Sequence, residues 1–398
     1  MSEIKRPLEG IKVVELATFI AAPCCARFLA DLGAEVIKIE APAGDPLRYT
    51  AVNEGRPQDQ KENTTYDLEN ANKTCIALNT KSPAGREALE KLIAGADIFI
   101  TNWRQNPLKK AGLDYDTLHA KYPALVYGFV FTAFFARGGV LGTLFDKDSL
   151  PMLTIAGFGD HQVGLYLASG VLAALYRAKQ TGQGDRVVVS LFHSAIWDVS
   201  LMLQSNQYGD PATQFPLSRR TLPNPLVVAH KTKDNKWLQI AMPQYNRHYP
   251  IFMRAIGHPE MAEDPRYYPQ TNLQANIEEF YDFLVAEMAT RTLDEWCALM
   301  DANDLPYAIA QTWDQLLVDK QAWASDCFYE MEYPNGAKRT MVRPPVMFEE
   351  TPLPPYNRGP YLGEQTEEIL KKLGYTDEQV AAMIAAGDAA AMDPALKD

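Results

Sequence analysis

The sequence predicts an α/β fold with a doubly wound parallel sheet, and two observations support this prediction. Runs of β-branched residues alternate with apolar helical segments through the first third of the chain. Residues 11–16 and 35–40 are predicted strands on either side of one predicted helix, and such a βαβ unit holds its strands in parallel. The pattern recurs, with further strands predicted at residues 75–78, 97–102 and 125–129.

Proline, glycine and serine set the ends of the first two helices. Pro23 suits a first helical position, and Gly33 ends the helix that follows it. Ser82 caps a second helix, which continues to Ala94 and stops at Gly95. Each helix connects two predicted strands, as a parallel sheet requires.

The middle of the chain has a different pattern of apolar residues and prolines. A long apolar helix is predicted at about residues 161–179, and a strand at residues 186–190 follows it. Prolines then mark a linker that begins near Pro211 and includes Pro216, Pro223 and Pro225. Beyond the linker the pattern predicts a smaller α+β domain, with strands at 226–230 and 237–242 and helices at 245–256, 277–288 and 293–302.

The last part of the chain is predicted to be extended and then helical. Prolines at 343–345 and 352–355 favour extended backbone. A final helix pair follows, in which Thr376 begins a capping box with Gln379 and Gly387 suits a C-terminal end. The sequence has no internal repeat.

Composition and charge exclude several classes of protein. The chain has 398 residues, a net charge of −12 and 47% apolar residues, which indicates a globular protein without a polyanion-binding surface. Its most apolar stretch, residues 126–136, is about half of the ~20 residues that a membrane helix needs. The five cysteines show no CxxC spacing, so we expect neither a disulfide scaffold nor a zinc site, and we expect a cytoplasmic location.

Most familiar catalytic motifs are absent from the sequence. The turn after the first strand, residues 17–23, has no GxGxxG, which disfavours a nicotinamide dinucleotide. No Walker loop, GxSxG or HExxH occurs, and the six histidines are scattered. We therefore expect no metal and no permanently bound cofactor.

Gly157-Phe158-Gly159-Asp160 is the segment with the strongest catalytic chemistry. Its glycines allow a tight turn and close approach of a ligand. Asp160 is predicted at the N-terminus of the long helix, where the helix dipole favours an ionised carboxylate that can attack an acyl group. The structural alternative is that Asp160 only caps the helix. Its neighbour His161 is a base, a residue that packs in the first turn, or a solvent-exposed side chain.

A second candidate site follows the strand at residues 97–102. Asn102, Trp103 and Arg104 come at the carboxyl end of that strand, where α/β proteins bind ligands; Trp can stack on a purine and Arg can pair with phosphate. Buried Trp packing and a surface Arg are the alternative. Lys109 and Lys110 suit a solvated helix face. Cys24 and Cys25 are predicted core residues.

At these residues the chain resembles class III CoA-transferases, the family of formyl-CoA and carnitine CoA-transferases. Each matching stretch is weak alone, but their number and order are specific. They are residues 8–16, 30–40, 72–78, 159–164, 181–184 and 362–366. Segments 19–23, 44–51, 62–70 and 309–313 resemble the (R)-2-hydroxyacid subgroup. Members of that subgroup act on (R)-phenyllactate with cinnamoyl-CoA, or on (R)-2-hydroxyisocaproate with its enoyl-CoA, in anaerobic amino-acid fermentation.

The resemblance implies an architecture. It is a homodimer of two interlocked rings, in which each subunit has a large Rossmann-like domain built from both chain ends and a smaller middle domain. In this chain the large domain would comprise residues 1–210 and 331–398, and the linker and small α+β domain residues 211–330.

The resemblance also implies site residues and substrates. The family nucleophile maps onto Asp160, with backbone N–H groups around Gly157 and Gly159 as oxyanion donors. The implied CoA contacts are Ile20, Ala21, Leu78, Asn79, Thr80, Lys81, Asn102, Trp103, Arg104 and Lys110. The partners would be an acyl-CoA and a 2-hydroxy acid, with coenzyme A thioesters as substrates.

The chain departs from the family at three places. Ile20 and Ala41 stand where formyl-CoA enzymes have Gln and Arg. Val130 runs directly into Phe131, where the family has a glycine- and proline-rich loop. Two explanations stay open: either the loop has been lost from this sequence as it is recorded, or the chain has a damaged or remodelled site. Two alternatives to the transferase are therefore a noncatalytic or impaired paralogue and an acyl-CoA racemase.

Overall fold

The computed structural model describes residues 5–131, 133–147, 149–209, 215–351 and 357–397. Its strands are β1 (Lys12–Leu16), β2 (Glu35–Glu40), β3 (Thr74–Leu78), β4 (Ile98–Thr101), β5 (Val126–Phe131), β6 (Arg186–Ser190), β7 (Ala229–Lys231), β8 (Trp237–Ile240), β9 (Tyr307–Ile309), β10 (Phe328–Glu332), β11 (Lys338–Val342) and β12 (Ala389–Ala390).

The helices follow in chain order. They are α1 (Ala21–Asp31), α2 (Thr64–Asn70), α3 (Pro83–Ala94), α4 (Gln105–Lys110), α5 (Tyr115–Lys121), α6 (Val140–Thr143), α7 (Phe158–Thr181), α8 (Leu191–Asp198), α9 (Ser200–Asn206), α10 (Tyr245–Ile256), α11 (Gln270–Leu273), α12 (Ile277–Met288), α13 (Leu293–Ala302), α14 (Trp313–Leu317), α15 (Lys320–Ala324), α16 (Thr366–Lys372) and α17 (Asp377–Ala385).

The described residues form two compact units. Unit 1 comprises those within Met1–Gly138, Ile155–Trp197 and Lys320–Asp398, and unit 2 those within Gly139–Thr154 and Asp198–Asp319. These limits differ from the expected boundaries in three places, one of which is that unit 2 already includes Asp198, ahead of the expected residue 211. Segment 139–154 groups with unit 2, where Asp146 accepts a hydrogen bond from the Arg219 N–H at 3.1 Å. The chain returns to unit 1 at Lys320, ahead of the expected residue 331.

Unit 1 contains the predicted parallel sheet. Its strand order is β12-β3-β2-β1-β4-β5-β6, and all neighbours are parallel except the short β12, which runs antiparallel to β3. From β1 the chain builds outward through β2 and β3, and then returns to the other side of β1 with β4. The order of the strands therefore reverses between β1 and β4, and ligands of doubly wound sheets bind at the carboxyl ends of the strands at such a reversal.

The strands of unit 1 are buried because helices cover the sheet. One core cluster joins Leu16, Ile76, Phe99 and Tyr127 of the sheet to Leu89 of α3. Helices α16 and α17 extend the same cluster. The two C-terminal helices therefore pack against the same sheet as the N-terminal strands.

Glycines allow α7 to pack closely against its neighbours. A Cβ on Gly164 would lie 2.7 Å from Cys24 Sγ and 3.1 Å from the Ala21 carbonyl oxygen of α1. A Cβ on Gly170 would lie 2.6 Å from Val187 of β6. Larger residues at these positions would force the elements apart, so these two glycines set how closely α7 packs against α1 and β6.

Unit 2 has its own core. Strands β7, β8 and β9 form an antiparallel sheet. Helices α10, α12 and α13 contribute fully buried Phe252, Phe280 and Trp296 to one cluster. The Trp296 indole N–H donates to the Met288 carbonyl at 2.9 Å. Strands and helices thus share the core of this unit.

Several predicted element ends differ from the structure. α1 begins at Ala21, two residues before Pro23, because proline is tolerated anywhere in a first turn that needs no N–H donor. α7 begins at Phe158, three residues before the predicted start, since Gly157 adopts φ +80° and ends the preceding loop there. The strand predicted at 226–230 is shortened to β7 by a 3-10 turn that starts at Pro225. Pro211 and residues 352–355 lie outside the described residues.

Two of the elements that the sequence did not predict contact each other in unit 1. One is α2, a seven-residue helix capped by the Asn63 side chain, which accepts from the Tyr66 N–H at 3.2 Å. The other is the β10–β11 hairpin of unit 1. Tyr333, which follows β10, donates its hydroxyl hydrogen bond to Asp67 of α2 at 2.7 Å. The hairpin and α2 thus stabilise each other.

All five cysteines are free, and Cys25 is buried in α1 as predicted. In the part of the chain that the structure describes, His, Cys, Asp and Glu side chains form no group of three or more that could hold a metal ion. None of the helices found among the described residues has both the length and the apolar character needed to cross a membrane. The cytoplasmic location stays a prediction.

Candidate active site

The loops after β1 and β4 are joined by hydrogen bonds at the strand-order reversal. The Thr18 N–H donates to Asn102 Oδ1 at 3.1 Å, and Asn102 Nδ2 donates back to the Thr18 carbonyl at 2.7 Å. One residue earlier, the Thr101 hydroxyl donates to the Leu16 carbonyl at 2.8 Å. Asn102 therefore joins the two loops by hydrogen bonds. Its role as a ligand contact stays a prediction.

Phe19 occupies an uncommon backbone conformation in the same loop. Its φ is +64°, a region that residues other than glycine rarely adopt, and its side chain is exposed. The Phe19 N–H donates to Asp45 Oδ1 at 3.1 Å. This hydrogen bond joins the β1–α1 loop to the segment that follows β2.

A buried ionic network lies beneath this loop. Lys38 Nζ lies 2.8 Å from Glu15 Oε1, 3.0 Å from Asp45 Oδ2 and 3.1 Å from the Ala17 carbonyl. Lys73 Nζ lies 2.7 Å from Glu15 Oε2 and 2.9 Å from the Pro23 carbonyl of α1. All four charged side chains of this network are buried. The network therefore holds both sides of the loop that precedes α1.

The two lysines favour the ionised form of Glu15. Burial alone would raise the pKa of Glu15, but Lys38 and Lys73 hold that pKa below its usual value. The two positive and two negative charges balance, so the penalty for burying each ion is offset by its partners. Removing one member would leave an uncompensated buried charge.

Asp160 lies in the first turn of α7, and the N-cap of this helix is Gly157. The interpretation of Asp160 as an N-cap is therefore wrong. Residues one turn apart share a helix face, so Asp160 lies on the face that Gly164 packs against α1. A Cβ on Gly157 would lie 3.9 Å from Ile20 Cδ1, at the start of α1. The first turn of α7, which contains Asp160, therefore lies beside the start of α1, where Ile20 and Ala21 are.

The environment of Asp160 differs from the prediction in its effect on ionisation. Burial raises the pKa of the half-buried carboxyl above its usual value, while the charge of His161 opposes the rise and that of Glu69 adds to it. The predicted stabilisation of the ionised form by the helix terminus is therefore outweighed by desolvation. His161 is the neighbour that favours the carboxylate.

His161 is held by a buried carboxylate. Its Nε2 lies 2.7 Å from Glu69 Oε1, and Glu69, the sixth residue of α2, is buried. The hydrogen bond to Glu69 raises the pKa of His161; burial opposes this, and the charges of Glu69 and Asp160 add to it. Sequence reasoning missed Glu69 because α2 itself was not predicted.

Three phenylalanines surround the other side of the first turn of α7. A Cβ on Gly159 would lie 2.4 Å from Phe134 Cγ, so the Phe134 ring rests on the glycine backbone. Phe134, Phe135 and Phe158 have ring centroids 5.2 to 6.2 Å apart. We call these three residues the aromatic wall. Two of its members come from the short connection that follows β5.

The remaining predicted CoA residues lie along one edge of the sheet. Leu78 ends β3, and Asn79, Thr80 and Lys81 follow it; Asn102, Trp103 and Arg104 follow β4, and Lys110 ends α4. Trp103 is partly buried against the core cluster, as the packing interpretation predicted. Lys81, Arg104 and Lys110 are exposed, and none of them forms an ion pair with another described residue.

The comparison with known families identifies the chain. Residues 8–366 match the family described as CoA-transferase family III, which is nine-tenths of the sequence. The chain belongs to CoA-transferase family III. It is therefore an enzyme of this family, as the resemblance implied.

Relatives of this CoA-transferase agree with the predicted subgroup. It is 51% identical to the cinnamoyl-CoA:phenyllactate CoA-transferase of Clostridium sporogenes, over 93% of this chain and 94% of the relative. It is 43% identical to the (R)-2-hydroxy-4-methylpentanoate CoA-transferase of Clostridioides difficile, over 94% and 97%. A formyl-CoA:oxalate CoA-transferase of Escherichia coli is more distant, at 29% over 95% and 98%.

Solved structures agree with the α/β fold. The CoA-transferase superposes on the crystal structure of a CAIB/BAIF family protein from Brucella suis with a TM-score of 0.77. The match has 25% sequence identity and covers 93% of this chain and 100% of the other.

The alignment with the Clostridium sporogenes relative is longer than the matched part of this CoA-transferase. It has 388 positions, whereas 93% of 398 residues is about 370, so about 18 positions have no residue in this chain.

Proposed function

We propose that this CoA-transferase moves CoA from an aromatic or branched enoyl-CoA to an (R)-2-hydroxy acid through a covalent Asp160 intermediate. The substrates are of the cinnamoyl-CoA and phenyllactate type, or their 2-hydroxyisocaproate counterparts, and the context is amino-acid fermentation. The observation that carries the proposal is the position of Asp160. Its turn of α7 lies beside the start of α1, which follows β1 at the strand-order reversal of the sheet.

The proposed chemistry conserves every atom and needs no redox partner. Asp160 attacks the donor thioester carbonyl, which gives an aspartyl mixed anhydride and CoA thiolate. The thiolate attacks the aspartyl carbonyl, so the donor acid leaves as a carboxylate and an aspartyl-CoA thioester remains. The acceptor carboxylate then attacks this thioester, and the same two steps in reverse return CoA to the acceptor and free Asp160.

Free backbone donors at the start of α7 support this chemistry. Among the described residues, the Phe158 and Gly159 N–H groups have no hydrogen-bond acceptor, as is usual in a first helical turn. An oxyanion formed at the Asp160 carbonyl or the thioester carbonyl would accept from such donors, each typically worth ~3 kcal/mol. We therefore retain Gly157 and Gly159 as the oxyanion loop.

The CoA contacts are proposed at the carboxyl edge of the sheet. Lys81, Arg104 and Lys110 are exposed cations there, suited to the phosphate groups of CoA. Ile20 and Ala21 begin α1 beside Gly157, and Leu78, Asn79, Thr80, Asn102 and Trp103 complete the proposed set.

The aromatic wall supports a bulky apolar acyl group. Phe158 is half exposed beside the glycine that precedes Asp160, and it packs with Phe134 and Phe135. Apolar area buried by an aryl or branched side chain stabilises the complex by ~25 cal/mol per Å². Formate and oxalate bury little area, so we expect them to be poor acceptors.

The assembly is proposed to be a homodimer of interlocked rings. Each subunit would contain a large Rossmann-like domain built from both chain ends and a smaller middle domain. Exposed apolar side chains support an interface in each unit. In unit 2, Leu150, Leu153 and Leu201 are at least 79% exposed, and in unit 1, Tyr176 and Trp197 are 67% exposed.

A substitution of Asp160 tests the proposal. We expect Asp160→Asn to lower CoA transfer from cinnamoyl-CoA to (R)-phenyllactate at least about a thousandfold, because the amide cannot form the acyl intermediate. The matched control is Asp116→Asn, which removes the same charge from the first turn of α5 and should leave transfer unchanged. Transfer at the wild-type rate by folded Asp160→Asn would refute the proposed nucleophile.

A further inference from the structure

His161 is fixed on one side by a carboxylate that water does not reach. Glu69 is 2% exposed, and its Oε1 lies 2.7 Å from His161 Nε2. Helix α2, which carries Glu69, is held to α1 by Arg27, whose Nη1 donates to the Leu68 carbonyl at 2.7 Å. The orientation of the imidazole ring is therefore set by a buried, anchored partner.

The other side of the ring is open. The His161 side chain is 45% exposed, and its Nδ1 has no hydrogen-bond partner among the residues that the structure describes. A Cβ on Gly157 would lie 3.4 Å from His161 Cε1 and 3.8 Å from Nδ1. The free nitrogen thus lies beside the N-cap of α7, in the turn that contains Asp160.

Several titratable groups surround His161, and His161 itself is the group whose positive charge acts on Asp160. The titratable groups that face it are Glu69 from α2, Asp160 from α7 and the Cys24 thiol from α1, whose Sγ lies 3.9 Å from the His161 carbonyl. The charge of Lys73 also interacts with Glu69 and with the Cys24 thiol. Glu69 favours the imidazolium, whose Nδ1–H is then a charged donor.

We propose that His161 binds the carboxylate of the free acid through Nδ1 when Asp160 is acylated, with Glu69 as its positioning residue. This inference rests on the proposed covalent mechanism. In the free enzyme His161 and the Asp160 carboxyl share the first turn of α7. Formation of the aspartyl-CoA thioester removes that negative charge, and the acceptor acid arrives with one of its own.

The charge balance of the cycle explains why a fixed cation is useful. When the acceptor carboxylate attacks the aspartyl-CoA thioester, its negative charge passes to the CoA thiolate. When that thiolate attacks the acceptor-side carbonyl of the mixed anhydride, Asp160 leaves as a carboxylate. His161 therefore faces one carboxylate at the beginning and one at the end, and needs to lose no proton in between.

Steady-state kinetics of two variants test the inference at pH 8. His161→Gln should raise the KM for (R)-phenyllactate about tenfold or more, the effect of losing one charged hydrogen bond, and change the KM for cinnamoyl-CoA less than threefold. The control is His258→Gln in unit 2, whose Nε2 lies 3.5 Å from Glu287; it should change neither KM.

Glu69→Gln should make the KM for the acid depend on pH in a way that a purely structural role of Glu69 would not. The amide still accepts a hydrogen bond from His161 but no longer favours its cation, so the acid KM should rise at pH 8. At pH 6 the imidazole protonates without help, and the acid KM should return to within about threefold of the wild type at the same pH.

Three outcomes would contradict the inference. An unchanged acid KM in His161→Gln overturns it, as does an equal rise in both KM values. A Glu69→Gln defect of equal size at pH 6 and pH 8 indicates a structural pair. These results are distinct from failure of the proposed function, in which the wild-type enzyme itself transfers no CoA and forms no adduct on Asp160.

Discussion

Two effects act in opposite directions on the pKa of Asp160. Burial raises its pKa, and His161 favours its ionised form. A carboxylate that has lost part of its water shell and is still ionised near neutral pH is a better nucleophile than a solvated one. The side chain therefore gains reactivity from partial burial, provided that a cation stays nearby.

Gly159 shows how little space separates the nucleophile turn from the aromatic wall. We predict that Gly159→Ala lowers the free energy of unfolding by about 1–3 kcal/mol, because the new Cβ would lie 2.4 Å from Phe134 Cγ. Urea denaturation measures this change. Phe134→Leu should recover part of the loss in the double variant, and simple additivity of the two single changes would show that the ring does not rest on Gly159.

Buried charges are the residues that the sequence predicts least well. Lys38 and Glu40 alternate with Ile37 and Ile39 in β2, a pattern typical of a strand with one exposed face. Both are buried, because β2 is an inner strand covered on both faces. Their partners lie elsewhere in the chain, and no local pattern reveals such pairing.

Helix α2 connects three parts of unit 1. Asp67 accepts hydrogen bonds from the Tyr333 hydroxyl and from the Gly359 N–H, both at 2.7 Å. These bonds join the β10–β11 hairpin and the segment that contains Gly359 to α2. Two residues later the same helix presents Glu69 to His161. A seven-residue helix is too short to be stable alone, and these contacts hold it in place.

We predict that Asp67→Asn destabilises the fold by about 1–3 kcal/mol at pH 7, because the amide nitrogen then faces one of two hydrogen-bond donors. Chemical denaturation of variant and wild type measures the difference. Tyr333→Phe, which removes only one donor, should cost less. Equal stability of Asp67→Asn and wild type would show that Asp67 does not fasten α2.

The cost of Asp67→Asn should depend on pH. Burial raises the pKa of Asp67 to about 6, from its usual 3.8. The folded state therefore binds an extra proton between these values, and the stability that this adds is complete below pH 3.8 and lost as pH rises through 6. The difference between wild type and variant should be larger at pH 4 than at pH 7, by at most about 3 kcal/mol.

The elements follow the sequence where periodicity is long or caps are strong. Helices α10, α12 and α13 have the predicted bounds, and α3 has its predicted Ser82 cap. α7 was placed three residues late, because Phe158 and Gly159 carry no helical pattern. α2 was missed since seven residues show less than two turns of periodicity. The strand order and the meeting of α1 with α7 depend on tertiary packing.

At the scale of the whole molecule, the exposed apolar side chains need a partner surface. We predict that the protein sediments at about twice its chain mass of 44.4 kDa. Interlocked rings cannot separate while both chains stay folded, so the dimer should persist on dilution to nanomolar concentration. Loss of dimer mass should coincide with loss of helical circular dichroism in denaturant. A folded monomer that appears on dilution would contradict interlocking.

The covalent role of Asp160 is the central claim, and trapping the intermediate tests it most directly. The enzyme is mixed with cinnamoyl-CoA in the presence of hydroxylamine, and the digested chain is analysed by mass spectrometry. We predict a hydroxamate on Asp160 that depends on the acyl-CoA and is absent from Asp160→Asn. A hydroxamate on another carboxylate, or turnover at the normal rate with every carboxylate unmodified, would contradict the account.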